Sequence, residues 1–122
     1  MRIASFEQDG HATYGVVGTD GHYTPAPADF LARFPDLKAV IAAGALDALQ
    51  AAAQASGVRL APAQVRLLPV IPNPGKLICI GLNYKTHVAE TKRPDSEHPS
   101  IFLRFADTLA AHGDEVLRPA FS

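Results

Sequence analysis

The proline-rich stretch between residues 62 and 75 constrains the fold of this chain more than any other feature of its sequence. It contains four prolines and a closing glycine: Pro62, Pro69, Pro72, Pro74 and Gly75. Proline fixes its own φ angle and has no backbone N–H, so prolines at this density disfavour a helix or a central strand. We predict an extended linker here, with a small N-terminal α+β domain over residues 1–70 and the beginning of a second domain over residues 71–122.

The first 24 residues have the pattern of a small antiparallel meander. Residues 3–6, 13–17 and 22–24 are rich in β-branched and aromatic side chains, which favour strands. Asp9-Gly10 and Asp20-Gly21 separate these segments, and Asp-Gly is a strong hairpin signal because glycine tolerates the positive φ that tight turns require. The pattern therefore predicts three consecutive strands joined by short turns.

Residues 28–57 have the pattern of three short helices. The first is predicted over residues 28–34, and Asp36 is a favourable N-cap for the second. The second and third helices each have an apolar face, followed by a glycine that can end the helix. These faces comprise Leu37, Val40 and Ile41 in the second helix, and Leu46, Leu49 and Ala53 in the third. The terminating glycines are Gly44 and Gly57.

Further strands are predicted within and beyond the linker. Residues 65–68, 76–81 and 100–105 each favour a strand, and residues 76–81 have the continuous apolar run of a buried one. Residues 91–99 are polar and predict an exposed loop, whereas residues 116–117 predict the start of another strand. Two or three strands are too few for a stable sheet, so we expect this chain to be part of a longer protein.

Composition and charge exclude several functional classes. The chain is 48% hydrophobic and 19% charged, with a net charge of −1, so it has no basic field for binding nucleic acid or an anionic membrane. No apolar run approaches the roughly 20 residues needed to cross a bilayer. The one cysteine, Cys79, cannot form an intramolecular disulfide. These features predict a cytoplasmic protein in which Cys79, between two isoleucines, is an inert core residue.

The candidate site lies between Gly81 and Glu90, directly after the strand predicted at residues 76–81. His87 and Glu90 are separated by one helical turn, so on a helix they would share a face and interact. Such a pair can take a proton from water and return it later. The same spacing also occurs in surface helices that have no catalytic role, so the spacing leaves both interpretations open.

Arg104 is a second candidate, because an always-charged guanidinium in an apolar strand needs a partner or solvent. It could bind a substrate carboxylate through two hydrogen bonds, or it could simply face solvent. The remaining histidines lie beside turns or in loops: His11, His22, His98 and His112. None of them has ligand-like spacing to another, so we predict no metal site wholly within this chain.

Two ordered motifs give the chain a specific resemblance to a known family. The first comprises Pro72 to Lys76, the strand to Gly81, then Leu82-Asn83-Tyr84, His87 and Glu90; the second comprises residues 99–108, then His112-Gly113 and Pro119. Together they resemble the opening of the catalytic domain of the fumarylacetoacetate hydrolase family, which typically shows Gly-x-Asn-Tyr, two residues, His, two residues and Glu. Residues 1–68 resemble the small N-terminal domain of many bacterial members in length and composition.

The resemblance implies a divalent-metal-dependent hydrolase of C–C bonds in 2-oxo or 1,3-diketo acids, such as fumarylacetoacetate or acylpyruvates. In this family Mg²⁺ (or Mn²⁺ or Ca²⁺) stabilises the enolate that forms as the bond breaks. His87 and Glu90 match the catalytic pair that activates water, on a lid that would cover residues 85–99. Three further residues match positions that bind the substrate: Asn83, Tyr84 and Arg104.

The resemblance also implies which parts of the catalytic apparatus this chain lacks. The family's metal ligands, a Glu-x-Glu pair and a further Asp, are expected beyond residue 122, because Asp107, Asp114 and Glu115 do not reproduce that pattern. We therefore expect an α+β domain followed by the first strands of a truncated, mainly-β catalytic domain that is inactive alone. The full-length protein would be a homodimer that binds a small 2-oxo or diketo acid. A family decarboxylase, isomerase or sugar-acid hydrolase, a non-catalytic packing or dimerisation module, and a degenerate relative remain alternatives.

Overall fold

A computed structural model of the protein describes residues 1–92 and 98–121. Contacts divide the chain into two units: unit 1 comprises Met1–Asn73 together with residues 109–121, and unit 2 comprises Pro74–Thr108. Helices and strands both occur, so the α+β class predicted from the sequence is confirmed. The division into domains at residues 70–71 stays a prediction.

The sheet of unit 1 has four antiparallel strands in the order β3-β2-β1-β4. They are β1 (Arg2–Gln8), β2 (His11–Val17), β3 (Tyr23–Pro25) and β4 (Arg66–Leu67). In the first turn Asp9 has a φ of 50° and Gly10 a φ of 80°, the left-handed conformation that matches the twist of the flanking strands. The predicted meander is confirmed, and its first two strands are longer than predicted because pairing continues to Gln8 and His11 beside the turn.

Three helices follow the meander: α1 (Ala28–Arg33), α2 (Leu37–Ala42) and α3 (Leu46–Ser56). The predicted N-cap of α2 is confirmed, because the backbone N–H of Ala39 donates to Oδ1 of Asp36 at 2.7 Å. Gly57 ends α3 with a φ of 65°. Of the apolar face predicted for α2, Leu37 and Val40 are buried, whereas Ile41 is 48% exposed. Val40 occupies the core-facing position, and Ile41 lies about 100° further around the helix.

The core of unit 1 lies where these helices cover the sheet. Its central residues come from β2, the segment before α1, and all three helices: Tyr14, Ala26, Phe30, Leu37, Val40 and Leu49. Tyr14 is the polar member of this set, and its hydroxyl donates to the carbonyl of Phe34 at 2.5 Å. Burial, together with the negative charge of Asp36, raises the pKa of Tyr14 to about 12. The protonated hydroxyl therefore joins β2 to the end of α1.

The first part of the proline-rich stretch packs against unit 1. After a 3₁₀ turn at Pro62–Gln64, β4 pairs with β1, so the strand predicted over residues 65–68 is present in a shorter form. The backbone N–H of Leu68 then donates to the carbonyl of Ser5 at 3.0 Å. The hydroxyl of Ser5 donates to the carbonyl of Val70 at 2.7 Å. The chain is thus held along the edge of unit 1 beyond its last strand.

Unit 2 is a β-hairpin with a helix in its connection. Its elements are β5 (Leu77–Gly81), α4 (Lys85–Thr91) and β6 (Ser100–Arg104), with a 3₁₀ turn at Ala106–Thr108. The register pairs Ile78 with Leu103 and Ile80 with Ile101, on one face of the hairpin. All four are exposed, Ile78 by 60%, so the prediction that residues 76–81 form a buried strand is wrong. A hairpin of two strands offers no second layer to cover such a face.

Two other sequence predictions concern the second half of the chain. Residues 116–117 do not begin a strand, so that prediction is wrong; both side chains are 85% exposed and make no packing that would favour one. Of the polar loop predicted over residues 91–99, residues 93–97 lie outside the described residues. No helix in the described part of the chain is long and apolar enough to span a bilayer.

Candidate functional site

The candidate site segment, residues 81–90, comprises the end of β5, a tight turn and most of α4. Leu82 has a φ of 53°, which is uncommon for a residue with a side chain and turns the chain sharply out of the strand. Tyr84 is the extended N-cap of α4, and its carbonyl accepts the N–H of Val88 at 3.0 Å. His87 and Glu90 are therefore carried by a helix that starts one tight turn after a strand.

His87 and Glu90 lie on the same face of α4, as their spacing predicts. Nδ1 of His87 lies 3.5 Å from Oε2 of Glu90, which is an ion pair when the imidazole is protonated. The side chains are 56% and 75% exposed, so water reaches both groups and screens their attraction. With Nδ1 beside the carboxylate, Nε2 is the ring nitrogen that can accept a proton from water or a substrate.

Asn83 and Tyr84 directly precede the helix that carries His87 and Glu90. Both are exposed, Tyr84 by 71%. The structure thus brings these four candidate residues into one solvent-accessible segment. Their side chains can reach a small molecule in solution, and their roles in binding or catalysis stay predictions.

Arg104 lies apart from this segment within the hairpin. The register places it opposite Leu77 at the start of β5, whereas α4 follows Gly81 at the end of that strand. Four steps along a strand separate the two ends, roughly 13 Å at the usual rise per residue. The guanidinium lies 5.6 Å from the ring centroid of Phe102, a cation–π contact along its own strand. The hairpin alone therefore does not bring Arg104 close to the other candidate residues, and its contact with substrate stays a prediction.

Cys79 and the other side chains that could bind a metal ion give no metal site among the described residues. Cys79 is only half-buried, opposite Phe102, so its predicted core position is wrong because the hairpin leaves it partly uncovered. Within residues 1–92 and 98–121, no three His, Cys, Asp or Glu side chains are grouped so that they could hold a metal ion. These donors do not by themselves fit the divalent cation that the family resemblance implies, since such a cation needs several oxygen ligands in fixed geometry.

A charged cluster in unit 1 had no signal in the sequence. Asp20 accepts hydrogen bonds from the guanidinium of Arg59 and, at 3.1 Å, from the backbone N–H of His22. The hydrogen bond from His22 and then that from Arg59 hold the pKa of Asp20 below its usual value. Tyr23 and Leu60 form an isolated bridge that brings the two segments together. The cluster is exposed, so we interpret it as a set of surface ion pairs.

Two family models match the chain, and the boundary between them falls within residues 70–75. A model described as "Rv2993c-like, N-terminal" matches residues 1–69. A model described as "Fumarylacetoacetate (FAA) hydrolase C-terminal" matches residues 76–122. The first match covers more than half of the chain, and the second includes the whole candidate site segment.

Several curated proteins are similar to the chain. The 2,4-didehydro-3-deoxy-L-rhamnonate hydrolase of Sphingomonas sp. (strain SKA58) is 28% identical over 121 residues, which is 98% of this chain and 39% of the relative. The fumarylacetoacetate hydrolase domain-containing protein 2 homolog of Dictyostelium discoideum is 41% identical over 49 residues, 40% of this chain and 16% of the relative. The mitochondrial oxaloacetate tautomerase FAHD2A of Homo sapiens is 36% identical over 56 residues, 46% of this chain and 18% of the relative. The chain thus spans less than half of the length of each of these relatives.

Proposed function

The chain belongs to the fumarylacetoacetate hydrolase family, of which it is an N-terminal portion, and on this premise we propose that the whole protein hydrolyses a C–C bond of a small acid. The substrate class is that of 2-oxo and 1,3-diketo acids, such as fumarylacetoacetate or acylpyruvates. His87 and Glu90 activate water in this proposal, and Asn83, Tyr84 and Arg104 bind the substrate.

The observation that carries the proposal is the distance of 3.5 Å between His87 and Glu90. General base catalysis needs an accepting atom that meets the water molecule and a second group that orients the base. Nε2 of His87 meets the first need, and the carboxylate beside Nδ1 meets the second. Such pairs also arise by chance on surface helices, and membership of a hydrolase family favours the catalytic interpretation here.

The proposed reaction consumes one water molecule. Nε2 of His87 accepts a proton from the water while the water oxygen bonds to the carbonyl carbon beside the bond that breaks. The electron pair of the broken C–C bond stays on the leaving fragment as an enolate, and the imidazolium returns the proton to the enolate carbon. Between these steps the Glu90 carboxylate stabilises the positive charge on the ring. The products are a carboxylic acid and a shorter oxo acid, with His87 restored.

The proposal assigns the divalent cation to residues outside those described. Mg²⁺, or alternatively Mn²⁺ or Ca²⁺, would stabilise the enolate when bound. The described residues contain no suitable group of ligands, so no step above is assigned to the cation. We propose that its ligands lie beyond residue 122 and that this chain alone is inactive, in keeping with the 39% of the Sphingomonas relative that it spans.

A sugar acid is a second candidate substrate. The relative that matches 98% of the chain is named a hydrolase of 2,4-didehydro-3-deoxy-L-rhamnonate, whereas the human tautomerase matches 46% of the chain. Tautomerisation of oxaloacetate is a further alternative, in which the same pair would move a proton without breaking a C–C bond. Turnover of an acylpyruvate, a didehydro sugar acid and oxaloacetate, measured side by side on the full-length protein, separates these reactions.

Unit 1 has a separate proposed role as a non-catalytic module in a cytoplasmic homodimer. A family model of its own matches residues 1–69, and none of the five candidate site residues lies there. Packing against the rest of the protein or assisting dimerisation would both fit such a module. Deleting residues 1–69 from the full-length protein and measuring its mass by light scattering distinguishes a role in dimerisation from simple packing.

Substitution of His87 by alanine in the full-length protein tests the catalytic proposal. We expect turnover to fall by about 10²- to 10⁴-fold, the usual contribution of a general base, while Mg²⁺ binding measured by calorimetry is retained. His11→Ala is the matched control, because His11 is exposed on β2 of unit 1. Unchanged turnover in His87→Ala would remove this residue from the mechanism. Equal losses in both variants would indicate damage to the fold.

A further inference from the structure

We propose that Asp36, Lys38 and Asn73 form a clasp that locks the end of the proline-rich stretch onto unit 1. Residues 68–73, which we call the strap, are then a rigid part of unit 1 and not a flexible tether. This inference concerns the folding of unit 1 and does not depend on the proposed function.

The clasp holds Asn73 through both its side chain and its backbone. Nδ2 of Asn73 donates to Oδ2 of Asp36 at 2.6 Å, and Nζ of Lys38 donates to the carbonyl of Asn73 at 2.8 Å. Each hydrogen bond has one charged partner, and such bonds are roughly twice as strong as those between neutral groups. Two charged groups at the start of one helix thus converge on a single residue of the strap.

The carboxylate of Asp36 is already oriented by the helix that it caps. Oδ1 accepts the N–H of Ala39 at 2.7 Å, which leaves Oδ2 directed at Asn73. These two hydrogen bonds, that from Ala39 first, hold the pKa of Asp36 below its usual range, and the charge of Lys38 adds to the effect. The charge of Asp36 also contributes to the raised pKa of Tyr14, whose hydroxyl is protonated at neutral pH. One side chain therefore stabilises both the start of α2 and the end of the strap.

The rest of the strap is attached along its length. Leu68 donates to the carbonyl of Ser5, and the hydroxyl of Ser5 donates to the carbonyl of Val70. Ser5 is only 3% exposed, so water competes little for its hydrogen bond. Ile71 packs against the core of unit 1. The clasp closes the one end of the strap that these contacts leave open.

The prolines on either side of Asn73 reduce the entropy that the clasp must overcome. A residue before proline is restricted to extended conformations, and both Pro72 and Pro74 fix their own φ angles. Fewer unfolded conformations are lost when such a segment docks. Exposed hydrogen bonds, which would hold a glycine-rich segment poorly, are therefore sufficient here. The clasp fixes the point from which the chain continues towards β5.

The test is ¹⁵N relaxation of the intact chain and of two variants, Asp36→Ser and Asn73→Ala, each combined with Lys38→Met so that both hydrogen bonds of the clasp are removed. Backbone order parameters at Ile71 and Asn73 should be about 0.85 in the native sequence and below about 0.6 in Asp36→Ser. Serine keeps the N-cap of α2 but is too short to reach Asn73. Asn73→Ala removes the same side-chain hydrogen bond from the other side and, also combined with Lys38→Met, should give the same decrease. Asp47→Ser, an exposed carboxylate in the first turn of α3, is the control that should change nothing.

Order parameters that stay near about 0.85 in both variants would overturn the proposal, because Ser5 and Ile71 would then hold the strap without the clasp. Order parameters below about 0.6 at Ile71 and Asn73 in the native sequence would overturn the proposal as well. If Asp36→Ser loses the amide dispersion of a folded protein, Asn73→Ala decides the question, since Asn73 lies outside α2 and the core. The measurement involves no turnover, so its failure would leave the proposed function untouched.

Discussion

Units 1 and 2 both contain many apolar side chains, but among the described residues only unit 1 buries them. Phe6, Val40 and Leu49 are fully buried in unit 1. In unit 2 the aliphatic residues on one face of the hairpin are 45–70% exposed: Ile78, Ile80, Ile101 and Leu103. The difference follows from the number of packed layers, because three helices cover the sheet of unit 1 and a two-stranded hairpin has no second layer.

The residues that stabilise the fold and the candidate site residues lie in different units. The buried core and the clasp lie in unit 1, whereas all five candidate site residues lie in unit 2. Unit 1 should therefore determine the free energy of unfolding of this chain. Pairs of identical residue types, one in each unit, provide direct tests of that expectation.

The largest difference is expected for leucine. Leu49→Ala removes a side chain with no exposed surface and should cost about 2–5 kcal/mol of unfolding free energy, because it leaves a cavity in the core. Leu103→Ala, at a position that is 70% exposed, should change it by less than about 0.5 kcal/mol. Urea unfolding followed by circular dichroism measures both. Equal losses would show that the hairpin is covered and contradict the comparison.

Glycine should give the next largest difference. A Cβ at Gly15 would collide with the carbonyl oxygen of Thr24 and lie 2.8 Å from Cα of Pro25, so backbone atoms of β3 would have to move. We expect Gly15→Ala to cost about 1–3 kcal/mol. At Gly81 the nearest atom is 3.4 Å away, on the ring of Phe102, and Gly81→Ala should stay within about 0.5 kcal/mol. Thermal unfolding measures the loss of stability in each variant. A larger loss for Gly81→Ala than for Gly15→Ala would contradict the close packing of β2 against β3.

The smallest difference in unfolding free energy between the two units is expected for tyrosine, and at Tyr14 the effect should depend on pH. Tyr14→Phe removes the hydrogen bond to Phe34 and should cost about 0.5–1.5 kcal/mol at neutral pH, whereas Tyr84→Phe, at an exposed position, should cost nothing measurable. The pKa of Tyr14 is about 12 in the folded chain, above the unfolded value of about 10. Its contribution is therefore complete below about pH 10 and is lost as the pH rises towards 12. Denaturation from pH 8 upwards should show an alkaline decline in the native sequence that Tyr14→Phe lacks.

Local signals in the sequence predicted turns and helix caps better than they predicted which residues of unit 2 are buried. The Asp9-Gly10 turn and the Asp36 cap each depend on a few neighbouring atoms, and both predictions are confirmed. Burial depends on distant elements, so the predictions for the strand at residues 76–81 and for Cys79 were wrong.

The same distinction applies to the strap and to the candidate site. Prolines marked the strap, but its attachment depends on Ser5 and Asp36, which are far away in the sequence. The approach of His87 to Glu90 follows from helical periodicity alone and could be predicted. The position of Arg104 at the opposite end of the hairpin depends on strand register, which the sequence did not specify.

The exposed hairpin also has a consequence for the behaviour of this chain in concentrated solution. Residues 77–81, Leu-Ile-Cys-Ile-Gly, carry no charge and form a strand whose side chains on one face are aliphatic. Within the described residues, β5 has a partner on one side only. An open, uncharged strand edge is a template on which another molecule can add a strand, and this is how aggregation starts. The strand that leads into the candidate site should therefore limit the concentration at which the isolated chain stays monomeric.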